Sequence, residues 1–162
     1  MSKMKELPRR EELPEELTWD LTSIYESDQA FEESFSDFED DLPSLTSYEG
    51  TLADGADQLS AALENILAAG RHLENLHLYT HLKNDQDTGN AQYQELYDRV
   101  RSLSSRFSVA VSWFQPELLA MDEETVRAYI KENPDLELYQ HYLERLFSKK
   151  KHTLSAREEE LL

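Results

Sequence analysis

Residues 30–42 read AFEESFSDFEDDL, and the large apolar side chains in this stretch recur at steps of four, three and four residues. Side chains at that spacing lie along one side of an α-helix, so the stretch predicts an amphipathic helix. Ser27 or Asp28 is suited to open this helix, and Pro43 is expected to end it. The residues of the apolar stripe are Phe31, Phe35, Phe38 and Leu42.

The same helical period resumes after a polar linker at residues 44–55. A second run has leucine and isoleucine at inward positions, and Gly70 marks a point where this helix is expected to break. Residues 84–90, NDQDTGN, have the composition of a turn. The inward residues of the second run are Leu59, Leu63, Ile66 and Leu67, followed after Gly70 by Leu73, Leu76, His77 and Leu82.

The longest predicted helix begins near Thr88 or Asn90 and ends at Pro116. Its length is about 25 residues, which would span roughly 38 Å. Asp87 or Thr88 is expected to cap it. Its inward residues are Tyr93, Leu96, Tyr97, Val100, Leu103, Phe107, Val111 and Phe114.

Shorter helical segments complete the pattern. Asp20 is expected to cap a short turn, and Asp122 a helix that ends at Asn133. The last complete helix covers residues 135–147, and three lysines follow at 149–151, where their charge suits a helix C-terminus. We therefore predict an all-α fold, an antiparallel array of about six helices without a sheet. The last helix is expected to bury Leu136, Tyr139, Leu143 and Leu146, flanked by Tyr142 and Phe147.

The composition of the 162 residues suits one domain, with a charged arm at residues 1–18 and a helical lobe over residues 19–162. The chain has no cysteine, which excludes disulfides, thiolate catalysis and cysteine-based zinc sites. The first residues lack the apolar core of a signal peptide, and no apolar run is long enough for a membrane span. The sequence predicts a cytoplasmic protein that does not enter membranes.

The charge is strongly negative, with a formal net charge of -18. No lysine or arginine occurs between Arg10 and Arg71, whereas half of the 34 carboxylates do. Such a surface repels phosphate backbones, so nucleic acid is not an expected partner. The acidic interval predicts either a solvated surface that aids solubility or a wall that attracts cationic ligands, and the sequence favours the first.

Two patterns resemble metal sites. His77 and His81 are four residues apart on a helix, and Glu74 could supply a third ligand. A zinc peptidase needs a glutamate directly after the first histidine, and Leu78 stands there. The acidic residues that follow Asn84 begin like a calcium loop, but Leu96 occupies the twelfth position, where a glutamate is required. We therefore predict no catalytic, cofactor-binding or metal-binding residue in this chain.

Four stretches in order resemble oligoendopeptidase F, of the thimet-oligopeptidase family of zinc metallopeptidases. They are TWDLTSIYESDQAF (18–31), NDQDTGNAQYQEL (84–96), SWFQPELLA (112–120) and HYLERLFSKKKHTLSAREEELL (141–162). The resemblance implies that this chain is the N-terminal lobe of a longer enzyme that cleaves short peptides, and that it lines the channel over a zinc ion held elsewhere. Its implied partners are the C-terminal catalytic domain and short oligopeptides, and zinc is the cofactor of the complete enzyme only.

Positions that transfer from the family are structural rather than catalytic. Ser155 and Glu158 form a capping box, so residues 155–162 would begin a helix that continues beyond this chain in the family. The alternative hypothesis is a stand-alone helical protein-interaction module. Both hypotheses predict an exposed apolar surface near the C-terminus. The transferred positions are Trp19, Asp20, Asp85, Asp87, Tyr93, Pro116, Thr153, Leu154 and Ser155.

Overall fold

Six α-helices occur in residues 12–150, which are the residues that the computed structural model describes, and no β-strand occurs among them. The predicted all-α fold is confirmed. No helix in this range is long and apolar enough to cross a membrane. The predicted helix start at residues 155–162 and most of the arm lie outside the described residues. The helices are α1 (Asp28–Leu45), α2 (Ala56–Gln86), α3 (Ala91–Ala110), α4 (Phe114–Ala120), α5 (Glu123–Glu132) and α6 (Gln140–Lys150).

The described residues fall into two compact units. The first unit takes its residues from Met1–Asp40 and Gly70–Arg106, and the second from Asp41–Ala69 and Phe107–Leu162.

In the first unit, the contacts of α1 with α2 show that these two helices run in opposite directions. Asp28, at the start of α1, bonds to Lys83 near the end of α2. Ser34, further along α1, shares a hydrogen bond of 2.7 Å with His72, earlier in α2. As the residue number rises along α1, it falls along α2, as the prediction of antiparallel neighbours requires.

Two arginines join α3 to α1 in the same unit. Arg99 donates two hydrogen bonds to Glu32, at 2.7 and 2.8 Å, and its guanidinium carbon lies 4.5 Å from the centroid of the Phe35 ring. Arg106 pairs in the same way with Glu39. Both carboxylates and both arginines are seven residues apart, which is two helical turns, so α1 and α3 run in the same direction.

In the second unit, Glu117 of α4 binds the segment that connects α1 to α2. Its carboxylate accepts hydrogen bonds from the backbone N–H groups of Gly50 (2.7 Å) and Leu52 (2.9 Å). Leu52 is completely buried, and Gly50 has the left-handed φ of 81° that glycine adopts easily. The buried core of this unit includes Leu59, Leu63, Phe114, Leu118, Val126, Leu136, Leu143 and Phe147.

The predicted end of the first helix is wrong. Pro43 does not end α1, which continues to Leu45. Near this end, the hydroxyls of Ser44 and Thr46 donate to the carbonyls of Asp41 and Pro43, and the bond from Thr46 satisfies one of the carbonyls that a helix end leaves open.

Gly70 does not interrupt α2, which is a continuous helix of 31 residues. A helical glycine costs about 1 kcal/mol, and burial of one leucine offsets that cost. Leu63 and Ile66 before Gly70, and Leu73 and Leu76 after it, are all buried.

The long helix that was predicted up to Pro116 ends earlier. α3 stops at Ala110, and Pro116 lies in the first turn of α4, where a missing N–H costs nothing. The sequence did not indicate this break, because the helical spacing of apolar residues continues past it to the buried Phe114. At the other end Asn90, rather than Asp87 or Thr88, caps α3, since its side chain accepts from the N–H groups of Gln92 and Tyr93 at 2.9 and 3.4 Å.

The C-terminal helical segment also differs in detail. Residues Pro134–Tyr139 form 3₁₀ turns before α6 begins. Phe147, predicted at the flank, is buried, whereas Tyr139, predicted in the core, is half-buried. The predicted cap at Asp20 is confirmed, since its carboxylate accepts from the N–H of Thr22 at 3.0 Å. Asp122 occupies the predicted N-cap position of α5, but its side chain makes no capping hydrogen bond there.

Candidate functional site

His77 and His81 of α2 stack on each other. The rings of His77 and His81 are 5.8 Å apart, and both lie against Tyr97 of α3, at 5.6 and 5.7 Å. His81 Nε2 is 3.6 Å from a carboxylate oxygen of Asp85. Within residues 12–150 no three histidine or acidic side chains are arranged to hold a metal ion. The second acidic position of the calcium-like sequence, Asp87, accepts instead from the N–H of Gly89 at 3.1 Å.

A cleft of about 650 Å³ in the first unit is the candidate binding site. It lies between the chain that leads into α1 and the last turns of α2. Trp19 is 53% exposed there, and the carboxylates of Asp20 and Glu26 line the same cleft. The full lining is Thr18, Trp19, Asp20, Leu21, Thr22, Tyr25, Glu26, Ser27, Asp28, Tyr79, Lys83 and Gln86.

Lys83 forms one side of this cleft and is held by three groups. Its side chain is only 12% exposed, and its ammonium bonds to Asp28. The same carboxylate oxygen accepts from the hydroxyl of Tyr79 at 2.8 Å. The Lys83 nitrogen also lies 5.0 Å from the ring centroid of Tyr79 and 5.2 Å from that of Tyr93, distances typical of a cation–π contact.

These contacts fix the charges of the cluster. Hydrogen bonds from Lys83 and Tyr79 lower the pKa of the Asp28 carboxyl. Burial acts to lower the pKa of the Lys83 ammonium, but its bonds to Asp28 and Tyr79 outweigh that effect and raise this pKa. Burial and the bond to Asp28 raise the pKa of the Tyr79 hydroxyl. At neutral pH the lysine and the aspartate are therefore both ionised and the tyrosine is protonated.

The lining of the cleft suits a cationic group. Asp28 is neutralised by Lys83, so the charge left at the cleft comes from Asp20 and Glu26 beside the exposed indole of Trp19. A carboxylate next to an aromatic face attracts cations. The geometry therefore supports recognition of a cationic group.

Sequence reasoning did not predict this site, although it singled out three residues at or near it. Trp19, Asp20 and Tyr93, which the family resemblance marked as structural, lie in or beside the cleft. It missed Lys83, whose partner Asp28 is 55 residues away. A local signal was present, because Tyr79 and Lys83 are four residues apart and share a face of α2.

The chain is similar to oligoendopeptidases over most of its length. A family model described as Oligopeptidase F matches residues 117–162. The Oligopeptidase PepF of Bacillus subtilis is 38% identical over 160 residues, which is 99% of this chain and 24% of that protein. The plasmid-encoded oligoendopeptidase F of Lactococcus lactis is 38% identical over 94% of this chain and 26% of its own length.

A solved structure shows the same relationship in three dimensions. The crystal structure of oligoendopeptidase-F from Enterococcus faecium superposes with a TM-score of 0.74 at 45% identity, over 84% of this chain and 27% of that one. The chain therefore spans about a quarter of the length of these relatives.

Proposed function

Since the chain corresponds to the N-terminal region of oligoendopeptidase F, we propose that it is the substrate-gating lobe of an oligopeptidase that hydrolyses short peptides. The observation that carries the proposal is the alignment with Bacillus subtilis Oligopeptidase PepF, which covers 99% of this chain but only 24% of that protein. The chemistry is then assigned to the remaining three-quarters of the longer protein.

Zinc is the proposed cofactor of that longer protein. The described residues of this chain do not fit it, because the histidine pair on α2 lacks a third ligand and is stacked against Tyr97. No catalytic step is therefore assigned to these residues. The C-terminal catalytic region and short oligopeptides are the proposed partners.

The proposed role of this lobe is to restrict access and to orient peptides. Such a role accelerates a reaction by positioning and by excluding water, without a proton transfer from the lobe itself. The cleft at Trp19 supports a finer proposal, a preference for peptides with a cationic group, since Asp20 and Glu26 line it. A cytoplasmic location stays a prediction from the sequence.

The isolated 162-residue chain is expected to hydrolyse no peptide, with or without added zinc. The physical reason is that an oligopeptidase of this kind needs a metal and a base, and the described residues supply no metal set. The measurement is cleavage of fluorogenic short peptides, with Bacillus subtilis Oligopeptidase PepF as the positive control in the same assay. Peptide cleavage by the purified chain that a chelator abolishes would contradict the proposal.

A further inference from the structure

The end of the second unit carries an exposed apolar patch with a basic rim, which we call the Leu138 patch. Leu138 is 81% exposed, the highest value for any large apolar side chain among residues 12–149, and Tyr142 beside it is 39% exposed. They line a shallow depression of about 490 Å³ that has Leu146 as its only other apolar lining residue. His141, Arg145 and Lys149 complete the lining.

Arg145 supplies positive charge to the rim of the patch. It is exposed, and no carboxylate among the described residues lies within 4.0 Å of it, although the chain has 34 carboxylates. Arg99 and Arg106, in contrast, both have glutamate partners. The rim of the Leu138 patch therefore carries a cation that no described carboxylate contacts.

We infer that the Leu138 patch is the surface on which the remaining three-quarters of the same longer polypeptide docks, through apolar side chains flanked by aspartate or glutamate. This inference rests on the proposed function, and it adds the surface and the chemistry of its partner. An apolar centre with a polar rim is the usual anatomy of a protein interface. In the relatives this region and the rest of the protein are one chain, so the partner is always present.

Charge selects this partner over a second copy of the chain. Two copies would each bring a net charge of -18, and the repulsion between them opposes association. A basic patch on a strongly acidic chain favours docking of an acidic partner at that patch.

The test uses the fact that the chain has no cysteine. Leu138→Cys is introduced into the isolated chain and into a chimera in which this chain replaces the matching N-terminal quarter of Bacillus subtilis Oligopeptidase PepF. The rate at which a maleimide labels the new thiol is then measured by mass spectrometry of the peptide that contains position 138. We expect labelling to be roughly tenfold slower in the chimera, because a thiol reacts only when it is accessible. Adding Arg145→Glu to the chimera should restore part of the rate.

Val109→Cys is the matched control, since Val109 is 74% exposed and lies outside the patch. Its labelling rate should be the same in both proteins. Equal rates for Leu138→Cys in both proteins would overturn the inference, and so would equal slowing at both positions, which would indicate general shielding. Slower labelling of the isolated chain at higher protein concentration would also overturn the inference, because it would indicate that a second copy of the chain covers the patch. A folded chimera without peptidase activity would instead overturn the proposed function, whatever the labelling rates.

Discussion

Replacing Phe31 with alanine is expected to lower the free energy of unfolding by about 3–5 kcal/mol. Phe31 is 1% exposed, and three aromatic rings surround it. Its centroid lies 5.2 Å from that of Tyr79, 5.6 Å from that of Tyr25 and 6.1 Å from that of Phe35. Removing the ring leaves a cavity that stiff aromatic neighbours fill poorly, so the cost should lie in the range typical of Phe→Ala in cores.

The measurement for Phe31→Ala is urea denaturation followed by far-UV circular dichroism. Val109→Ala serves as the control, because Val109 is 74% exposed and should change stability by less than about 0.5 kcal/mol. If Phe31→Ala cost less than about 1 kcal/mol, the ring cluster would not be the core of the first unit. Phe31→Leu, which keeps much of the volume, keeps the comparison possible if the alanine variant does not fold.

Replacing Glu117 with alanine is expected to destabilise the chain by about 2–3 kcal/mol. The change removes the acceptor of two backbone N–H groups, those of Gly50 and Leu52. The N–H of Leu52 belongs to a fully buried residue, so water replaces the lost bond poorly. Glu117→Gln should cost less, since its amide oxygen can still accept one of the two bonds.

Chemical denaturation of Glu117→Ala, Glu117→Gln and the control Glu64→Ala checks this order. Glu64 is exposed on α2 and should tolerate alanine within about 0.5 kcal/mol. Equal stability of Glu117→Ala and Glu64→Ala would show that the loop at Gly50 does not depend on the carboxylate.

The sequence predicted those features that depend on residues close together in the chain. The step of four, three and four in α1 placed Phe31, Phe35, Phe38 and Leu42 correctly in the core. The spacing of apolar residues gave no sign that α3 ends at Ala110, because the pattern continues through the turn to the buried Phe114 in the next helix. A helical period reports which side of the backbone is buried, and it says little about where one helix gives way to another.

Contacts between distant residues were beyond this kind of prediction. The pair of Asp28 with Lys83 and that of Glu117 with Leu52 join residues 55 and 65 positions apart. Nothing in the local pattern around Lys83 indicates that a carboxylate faces it. The exposed apolar surface predicted near the C-terminus does exist at Leu138 and Tyr142.

Peptide hydrolysis by the chimera with Bacillus subtilis Oligopeptidase PepF tests whether this chain works as the N-terminal region of an oligopeptidase. We predict that kcat/KM for a short peptide stays within about tenfold of the parent enzyme, which is a change of about 1.4 kcal/mol in the barrier. A chelator should abolish this activity. A chimera that folds as the parent does but cleaves no peptide would contradict the proposed function.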